Sequence, residues 1–269
     1  MRSRVFKESL DSLGLLRPAF RVVEALRGRF NRDYWAGCPG GLAPDGLPVP
    51  TPHLAALVGS SRAEAFLESG RDIAQCIREV LALHGMKPER FTRLLDFGCG
   101  CGRVLRNWRS LPHTEVHGCD YNPELVRWCE ENLRFARFRV NAIRPPLDFP
   151  NGHFDFVYSF SVFTHLPEDL QQPWIDELRR VLRGGGYLLI TTSGASYASV
   201  LTDAERDAFN SGRLVVRYGS VAGTNLCAAF HPPAYVRDTL ASAFDVLDYS
   251  PTRTGQDFIL LRKPAGREP

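Results

Sequence analysis

Several features of membrane, secreted and nucleic-acid-binding proteins are missing from this 269-residue sequence. No apolar run approaches the length needed to cross a bilayer, and the first residues lack the apolar core of a secretory signal. We therefore expect a cytoplasmic protein with no membrane span. The net charge is only +3, and no basic run alternates with aromatic residues, so we expect no nucleic-acid partner.

A regular cysteine framework is also missing. The sequence has seven cysteines, an odd number, which favours free thiols in a reducing compartment. Cys99 and Cys101 form a C-x-C pair, but no matching Cys/His pair lies at ligand spacing elsewhere. We therefore expect no metal site and interpret both residues as small side chains in a crowded turn.

Alternating strand and helix patterns fill most of the chain. The composition, 44% hydrophobic and 23% charged, is ordinary for a soluble globular protein with one large core. Strands are predicted at 93–97, 115–119, 137–140, 154–161, 187–192, 244–248 and 257–261. Helices are predicted at 103–111, 123–133 and 167–182, the last stopped by the glycines at 184–186. This order predicts an α/β fold with a doubly wound sheet and helices on both faces.

The amino-terminal part is basic and amphipathic. Apolar residues recur there at three- or four-residue steps, at Leu10, Leu13, Leu16, Phe20, Val23 and Leu26. Pro18 predicts a break into two short helices. We expect this segment to pack on its own domain or to form a homodimer, with a membrane surface as the alternative. Residues 37–52 predict an irregular connector, and 62–84 a helix.

The most informative segment runs from residue 94 to 104 and reads LLDFGCGCGRV. An apolar run ends at Asp96, and glycine then occupies the alternate positions Gly98, Gly100 and Gly102. This pattern predicts a buried strand that turns sharply into a helix, where a nucleotide-like cofactor lies against bare backbone. Asp96 argues against a dinucleotide, because a carboxylate would repel a pyrophosphate. A positively charged cofactor fits it better.

An acidic residue followed by G-x-G-x-G resembles the first motif of the class I S-adenosylmethionine (SAM) methyltransferases. The order of elements resembles that family from roughly residue 60 to 264. The resemblance implies seven strands, mostly parallel, with the last one antiparallel. We divide the chain into a helical extension with its connector, 1–60, and a methyltransferase domain, 61–269, with a lid-like insertion at about 193–242.

The resemblance also assigns residues to the adenosine part of SAM. Asp120 ends the second strand, about twenty residues after the glycine turn, where one carboxylate accepts from two ribose hydroxyls. Tyr121 follows and is placed against the adenine face. Asn141 and Ala142 end the third strand. The family usually has an acid there, but the amide oxygen of Asn141 also accepts a hydrogen bond from the adenine amino group.

Two further residues lie next to these motifs. Ser159 ends the fourth strand, in a stretch that borders the methionine moiety in the family. Arg103 is interpreted as a solvated helix residue. The full predicted cofactor-binding set is Asp96, Gly98, Cys99, Gly100, Gly102, Asp120, Tyr121, Asn141, Ala142 and Ser159.

Four residues are candidates for the methyl-acceptor side. His165 follows the fourth strand and is a candidate general base or substrate contact; the alternative is a ring bonded to backbone. His231 lies in the long connection at 193–242 and is a second candidate; the alternative is a turn residue before two prolines. Tyr34 and Trp35 are candidates for closing the pocket, or are core residues of the extension.

The resulting functional hypothesis is methyl transfer from SAM to an oxygen or nitrogen of a small molecule, with S-adenosylhomocysteine as the product. A DNA or RNA acceptor is disfavoured because no N/D-P-P-Y/F motif follows the fourth strand. Two alternatives come from other classes. A nicotinamide-dependent oxidoreductase shares the glycine turn and Asp120, and a non-catalytic partner subunit shares the whole fold.

Overall fold

A seven-stranded sheet forms the centre of the chain. The computed structural model describes residues 2–29, 34–35 and 37–266. The strands are β1 (Arg93–Phe97), β2 (Glu115–Asp120), β3 (Arg137–Val140), β4 (Phe154–Ser159), β5 (Leu182–Thr192), the separate pair β6 (Val215–Arg217) and β7 (Ala228–Phe230), then β8 (Asp245–Arg253) and β9 (Gln256–Arg262). The sheet order is β3-β2-β1-β4-β5-β9-β8, and β9 is antiparallel to both of its neighbours. The predicted sheet with an antiparallel last strand is confirmed.

Helices cover both faces of this sheet. They are α1 (Arg2–Ser12), α2 (Leu16–Arg29), α3 (Pro52–Leu57), α4 (Ala63–Leu83), α5 (Pro123–Asn132), α6 (Glu168–Val181), α7 (Asp203–Asn210) and α8 (Pro233–Tyr235), which continues as a π-helical turn at Val236–Leu240. Side chains alternate between the faces of a strand. Leu94 therefore packs under α4 and α5, whereas its neighbour Leu95 packs under α6 and α8.

One predicted helix is a correction. The segment 103–111 forms only a short 3-10 turn, Leu105–Trp108. The long helix α4 covers this face of the sheet, and the carbonyl oxygen of Arg103 lies directly against Gly70 of α4: a Cβ on Gly70 would be 2.1 Å from it. The chain therefore passes under α4 in a tight turn, and no full helix forms there.

The glycine triplet is a second correction. Helix α6 ends at Val181, and β5 already begins at Leu182, so the glycines at 184–186 lie inside the strand. The β4–β5 register shifts between Phe154 and Phe156, and Gly185 has a φ of +72°. The glycines therefore permit an irregular first half of β5 instead of ending the helix.

The amino-terminal helices break at a different place from the one predicted. Two helices are present, but the break lies at residues 13–15, where Gly14 has a φ of +69°. Pro18 lies in the first turn of α2. The backbone N–H groups of a first turn have no partner within the helix, so proline removes no helical hydrogen bond there. Leu16 packs against Val221 and Cys227, so the extension docks on its own domain. The side chain of Leu26 lies outside the described part of the chain.

The same helices also expose apolar side chains. Those exposed on α1, α2 and the turn between them are Phe6, Leu13, Leu15, Val22 and Val23. Within the described ranges, no helix combines the length and the apolar character that crossing a bilayer requires. The homodimer through this extension stays a prediction.

Candidate cofactor-binding site

A cavity of about 640 Å³ opens at the carboxyl ends of the parallel strands. Ligand sites of α/β sheets lie at this edge, and the volume is in the usual range for a small-molecule pocket. Its lining includes polar groups from four strand ends and from the glycine turn after β1, among them Asp96, Gly98, Gly100, Asp120, Asn141 and Ser161.

The glycine turn needs residues without side chains for two reasons. Gly98 and Gly100 have φ values of +77° and +55°, which side chains disfavour. A Cβ would also lie 2.2 Å from Val162 at Gly98 and 2.6 Å from Val58 at Gly100. Gly102 does not line the cavity; a Cβ there would lie 2.3 Å from Leu133, so this glycine lets the turn pack against the end of α5.

Asp120 is fixed at the end of β2 with acceptor capacity to spare. Its Oδ2 accepts the N–H of Gly100 at 2.9 Å, and its Oδ1 accepts the N–H of Asn122 at 2.8 Å. Burial raises the pKa of Asp120 to about 6. Each carboxylate oxygen has a further lone pair, so the group can accept from two neighbouring hydroxyls at the cavity wall.

Asn141 presents an unsatisfied acceptor beside this acid. Its Nδ2 donates to the carbonyl of Ala142 at 2.7 Å, while its buried Oδ1 has no hydrogen-bond partner within the described chain. A buried polar atom without a partner is unfavourable unless a ligand supplies one.

The ring of Tyr121 also lines the cavity and packs against Gly223, where a Cβ would lie 2.8 Å from it.

Asp96 is the penultimate residue of β1 and lies in a desolvated position. It is 3% exposed, and its Oδ2 accepts the hydroxyl hydrogen of Tyr158 at 2.6 Å. The Tyr158 oxygen in turn accepts the Trp108 indole N–H at 2.9 Å. Burial raises the pKa of Asp96 to about 7, whereas the nearby Arg103 guanidinium acts to lower it. A cationic ligand would therefore stabilise the ionised form of this acid.

His165 lines the cavity in a fixed tautomer. Its Nδ1 is 2.7 Å from the carbonyl oxygen of Cys227. Because a carbonyl only accepts, Nδ1 carries the proton and Nε2 carries the lone pair. Nε2 lies 3.5 Å from the Ser161 hydroxyl, and burial lowers the pKa of His165. The ring is therefore neutral at pH 7, with a basic nitrogen at the cavity wall.

Segments far apart in the sequence form one side of the cavity, the roof. It consists of Arg17 and Phe20 of α2, His53 and Leu57 of α3, Val58, and the loop residues Gly223, Thr224 and Asn225. Arg17 donates to the carbonyl of Ala222 at 3.3 Å, and Asn225 donates to the carbonyl of Leu57 at 2.9 Å. Sequence reasoning missed the contribution of α2 and α3, although the amphipathic pattern of α2 was a signal that it packs on the domain.

A model of the methyltransferase domain family matches residues 95–190. This range begins in β1 and ends in β5, so it contains the glycine turn, Asp120, Asn141 and His165. This part of the chain is therefore similar to a methyltransferase domain.

Curated relatives that are named as methyltransferases match about half of the chain. The chain is 29% identical over 147 residues to malonyl-[acyl-carrier protein] O-methyltransferase from Paenibacillus sp. (strain JDR-2), which is 49% of this chain and 51% of that protein. It is 30% identical over 131 residues to 2-methyl-6-phytyl-1,4-hydroquinone methyltransferase from Synechocystis sp., 48% of this chain and 40% of that protein. The chain thus spans about half the length of the curated relatives it matches.

Solved structures share the fold. A SAM-dependent methyltransferase from Methanosarcina mazei has a TM-score of 0.52 at 24% identity and covers 68% of this chain and 97% of its own. An O-methyltransferase family protein from Burkholderia thailandensis has a TM-score of 0.54 at 18% identity, covering 79% of this chain and 63% of its own. At these identities the likeness concerns the fold alone.

The groups at the cavity fit the parts of SAM, the cofactor that the sequence predicts. Asp120 suits vicinal hydroxyls, the orphaned Oδ1 of Asn141 suits an amino group, and Asp96 suits a positive charge. Within the described residues no cluster of three metal-ligating side chains is present.

Predicted residues fall into two groups in the structure. Eight of the ten predicted cofactor contacts line the cavity, namely Asp96, Gly98, Cys99, Gly100, Asp120, Tyr121, Asn141 and Ala142. Ser159 is a correction: it is fully buried, its hydroxyl has no hydrogen-bond partner among the described residues, and it does not line the cavity. Ser161, two residues further on, lines the cavity instead, because the strand ends at Ser159 and the chain then turns with a φ of +60° at Ser161.

Three acceptor-side candidates also lie elsewhere. His231 is fully buried, its Nε2 is 3.3 Å from Oε1 of Gln171, and burial lowers its pKa to about 3, so it is a core histidine. Tyr34 donates its hydroxyl to the carbonyl of Pro50 at 2.7 Å inside the connector. Trp35 packs edge-on against Tyr34 and is 38% exposed. Neither aromatic lines the cavity, because the connector buries Tyr34 in its own small core.

Proposed function

We propose that this chain transfers a methyl group from SAM to an oxygen or nitrogen atom of a small molecule. One observation carries the proposal: a cavity at the carboxyl edge of the sheet combines bare glycine backbone with Asp96, Asp120 and the unsatisfied oxygen of Asn141. When bound, SAM would supply a methyl group already activated by its attachment to a positively charged sulfur.

The residues of the chain would hold and orient the reactants. Asp120 would accept from the ribose hydroxyls, Asn141 Oδ1 from the adenine amino group, and Asp96 would lie toward the positive charge. The roof would exclude water from the cavity, since Asn225 and Arg17 tie the loop at 220–225 to α3 and α2. Alignment and exclusion of water are the main contributions that a protein makes to such a transfer.

His165 supports an acceptor that loses a proton. Its Nε2 lone pair lies at the cavity wall, and burial keeps the ring neutral. A hydroxyl or an ammonium ion must give up a proton to become a nucleophile, and Nε2 can accept it. We therefore propose His165 as the general base, with Ser161 beside it at 3.5 Å.

The size of the cavity supports a small acceptor. Its volume of about 640 Å³ must hold both SAM and the acceptor. The curated relatives are named for methylating malonyl-[acyl-carrier protein] and a phytyl hydroquinone, and we extend only methylation of a small chemical group to this chain.

The domain division is also part of the proposal. We propose an extension at 1–60 and a methyltransferase domain at 61–269, with the insertion at about 193–242 acting as a lid. The contacts of Gly223, Thr224 and Asn225 with the cavity support the lid. A homodimer through the extension is proposed on the apolar side chains that α1 and α2 expose.

Calorimetry with SAM and S-adenosylhomocysteine tests the proposed cofactor. Asp120→Ala should weaken binding about 10- to 100-fold, because it removes charge-assisted hydrogen bonds. Asp72→Ala, on the exposed face of α4, is the matched control. Methyl transfer is then followed as S-adenosylhomocysteine formed with pooled hydroxyl- and amine-bearing metabolites. A chain that binds neither compound would contradict the proposal.

A further inference from the structure

A closed ring of three hydrogen bonds lies beside the cavity, at the edge of the sheet where β4 and β5 end and β9 begins. The N–H of Ser161 donates to Thr191 Oγ1 at 2.8 Å, and the Thr191 hydroxyl donates to Gln256 Oε1 at 2.7 Å. Gln256 Nε2 then donates back to Ser161 Oγ at 2.9 Å. Because each member donates to the next, the three hydrogen bonds run in one direction and strengthen one another.

This ring holds Ser161 in a backbone conformation that side chains disfavour. The φ of Ser161 is +60°, in the left-handed region. Ser161 lines the cavity, whereas the fully buried Thr191 and the half-buried Gln256 do not. A disfavoured conformation persists only where the surrounding contacts impose it, and such residues cluster at functional sites. The ring therefore fixes the Ser161 hydroxyl at the cavity wall.

The donation by Gln256 limits what the Ser161 hydroxyl can do. An amide N–H only donates, so it occupies one lone pair of Ser161 Oγ and leaves the Ser161 hydrogen for another acceptor. Two groups lie nearby, Thr164 Oγ1 at 3.3 Å and His165 Nε2 at 3.5 Å. The Thr164 hydroxyl has a hydrogen of its own and can donate to Ser161, whereas Nε2 can only accept, since Nδ1 of His165 holds the ring proton against the carbonyl of Cys227. The Ser161 hydrogen therefore goes to His165.

Gln171 shows how a glutamine with a purely structural role is bonded in this chain. It is fully buried, and its Nε2 donates to the backbone carbonyls of Phe163 and Leu166 at 2.9 Å each. Gln256 instead bonds to the hydroxyl groups of two side chains. One of these, Ser161, lines the cavity, so the hydrogen bonds of Gln256 act on a group that a substrate can reach.

We propose that Gln256 is a positioning residue for proton transfer from the methyl acceptor, acting through the Ser161 hydroxyl on His165. The inference rests on the proposed function, because it requires an acceptor that loses a proton. The acceptor's proton passes to Ser161 Oγ while the Ser161 hydrogen passes to Nε2 of His165. Ser161 ends as a hydroxyl, His165 ends as a cation, and the acceptor keeps the electron pair that attacks the methyl group.

Nitrogen NMR of the full chain with isotope-labelled histidine tests this arrangement without an acceptor. The difference from the His165→Asn spectrum assigns the ring, and a titration gives its pKa. Ser161→Ala removes a donor that favours the neutral ring, so the proton affinity of His165 should rise about 2- to 10-fold. Gln256→Met keeps the length of the side chain without its hydrogen bonds, and should raise the pKa of His165 by less.

A double-mutant cycle decides whether Gln256 acts through Ser161. In the Ser161→Ala background, Gln256→Met should cause no further change in the titration of His165. An equal change in both backgrounds, or no change from Gln256→Met alone, would overturn the inference. Thr191→Val keeps the shape of that side chain, breaks the ring at another member and should act like Gln256→Met. It replaces Gln256→Met if thermal unfolding shows that this variant does not fold.

Kinetics and one control complete the test. With an acceptor from the pooled metabolites, Ser161→Ala should lower kcat about 10- to 100-fold and Gln256→Met about 3- to 10-fold, while S-adenosylhomocysteine affinity changes less than about twofold. Gln75→Met, on the exposed face of α4, should behave like the unaltered chain.

Two failures remain distinguishable. Loss of S-adenosylhomocysteine binding in step with kcat in Gln256→Met would make Gln256 merely structural and overturn the inference. A failure of the unaltered chain to bind SAM or S-adenosylhomocysteine would instead overturn the proposed function, whereas the titration of His165 would still report whether Gln256 positions it.

Discussion

The floor and the roof of the cavity are built in different ways. The floor, defined here as the glycine turn at 96–103 with Asp120 and Asn141, uses groups at the ends of neighbouring parallel strands. The roof joins segments far apart in the chain, since the contact of Arg17 with Ala222 spans 205 positions. Local sequence therefore determines the floor, whereas the roof exists only after tertiary folding.

This difference divides the chemistry between the two regions. The floor offers the groups that hold the cofactor. The loop at 223–227, which includes the roof residues Gly223, Thr224 and Asn225, orients the proposed base. The carbonyl of Cys227 fixes the Nδ1 proton of His165, and the N–H of Gly223 donates to the His165 carbonyl at 2.8 Å. Changes in the floor should therefore affect binding, and changes around His165 should affect turnover.

The largest effect is expected in the floor, from Gly98→Ala. The new Cβ would lie 2.2 Å from Val162, a residue of the cavity wall, at a φ of +77°. We expect a destabilisation of about 2–4 kcal/mol and loss of measurable S-adenosylhomocysteine binding. Thermal unfolding and calorimetry measure both quantities.

Gly46→Ala is a close control for that variant. Gly46 has the same φ of +77°, but its Cβ would meet no atom within 4 Å. It should show only the backbone strain, about 1–2 kcal/mol, with binding retained. If Gly98→Ala and Gly46→Ala lose equal stability and both bind S-adenosylhomocysteine, the close approach of Val162 to Gly98 does not contribute to stability or cofactor binding.

The next largest effect is expected at the boundary of the two regions, from His165→Asn. Removing the proposed base should lower kcat about 10²- to 10⁴-fold while S-adenosylhomocysteine affinity changes little. Initial rates with a hydroxyl or amine acceptor measure this, with the exposed His113→Asn as the control. An unchanged kcat would leave His165 a structural residue that binds the Cys227 carbonyl.

A smaller effect is expected from pH, acting on Asp96 in the floor. Burial raises its pKa to about 7, opposed by the Tyr158 hydroxyl and the Arg103 guanidinium and reinforced by Asp120. The protonated acid predominates at pH 6 and the ionised acid at pH 8, so affinity for a cationic ligand should rise with pH.

Calorimetry with SAM, which carries the positively charged sulfur, at pH 6, 7 and 8 measures this rise. Between pH 6 and pH 8 we expect a gain of about 10-fold. Asp96→Asn should flatten the profile. An affinity that falls as pH rises through this range would contradict the proposed role of Asp96.

The fold was predictable because its signals are local and repeated. Five strands lie within two residues of their predicted bounds, since apolar runs between turn signals determine buried strands. The 3-10 turn at Leu105–Trp108 was not predictable, because α4 and Gly70 displace a helix that the local pattern allows. The start of β5 was missed for a related reason: the glycines at 184–186 permit a bulged strand as well as a helix end.

The candidate site was also predictable only where the signals are local in the sequence. The positions of Asp96 and Asp120 in the cavity followed from the spacing of the motifs and the family resemblance, because Asp96 is the penultimate residue of β1 and Asp120 is the last residue of β2. His231 was misplaced because a histidine in a long connection gives no sign of whether it is buried. Arg103 was misjudged because its environment depends on Phe160 and Gly70, residues that no local pattern joins to it.

The smallest effect is expected in the roof, from Asn225→Ala. This change removes the 2.9 Å hydrogen bond to the carbonyl of Leu57 that joins the loop to α3. One hydrogen bond contributes about 0.5–1.5 kcal/mol, so S-adenosylhomocysteine should bind about 2- to 10-fold more weakly through faster dissociation. Stopped-flow displacement measures the rate, with the exposed Asn210→Ala of α7 as the control. Because the floor is untouched, the pH profile set by Asp96 should stay the same; a change in that profile would mean that roof and floor do not act separately.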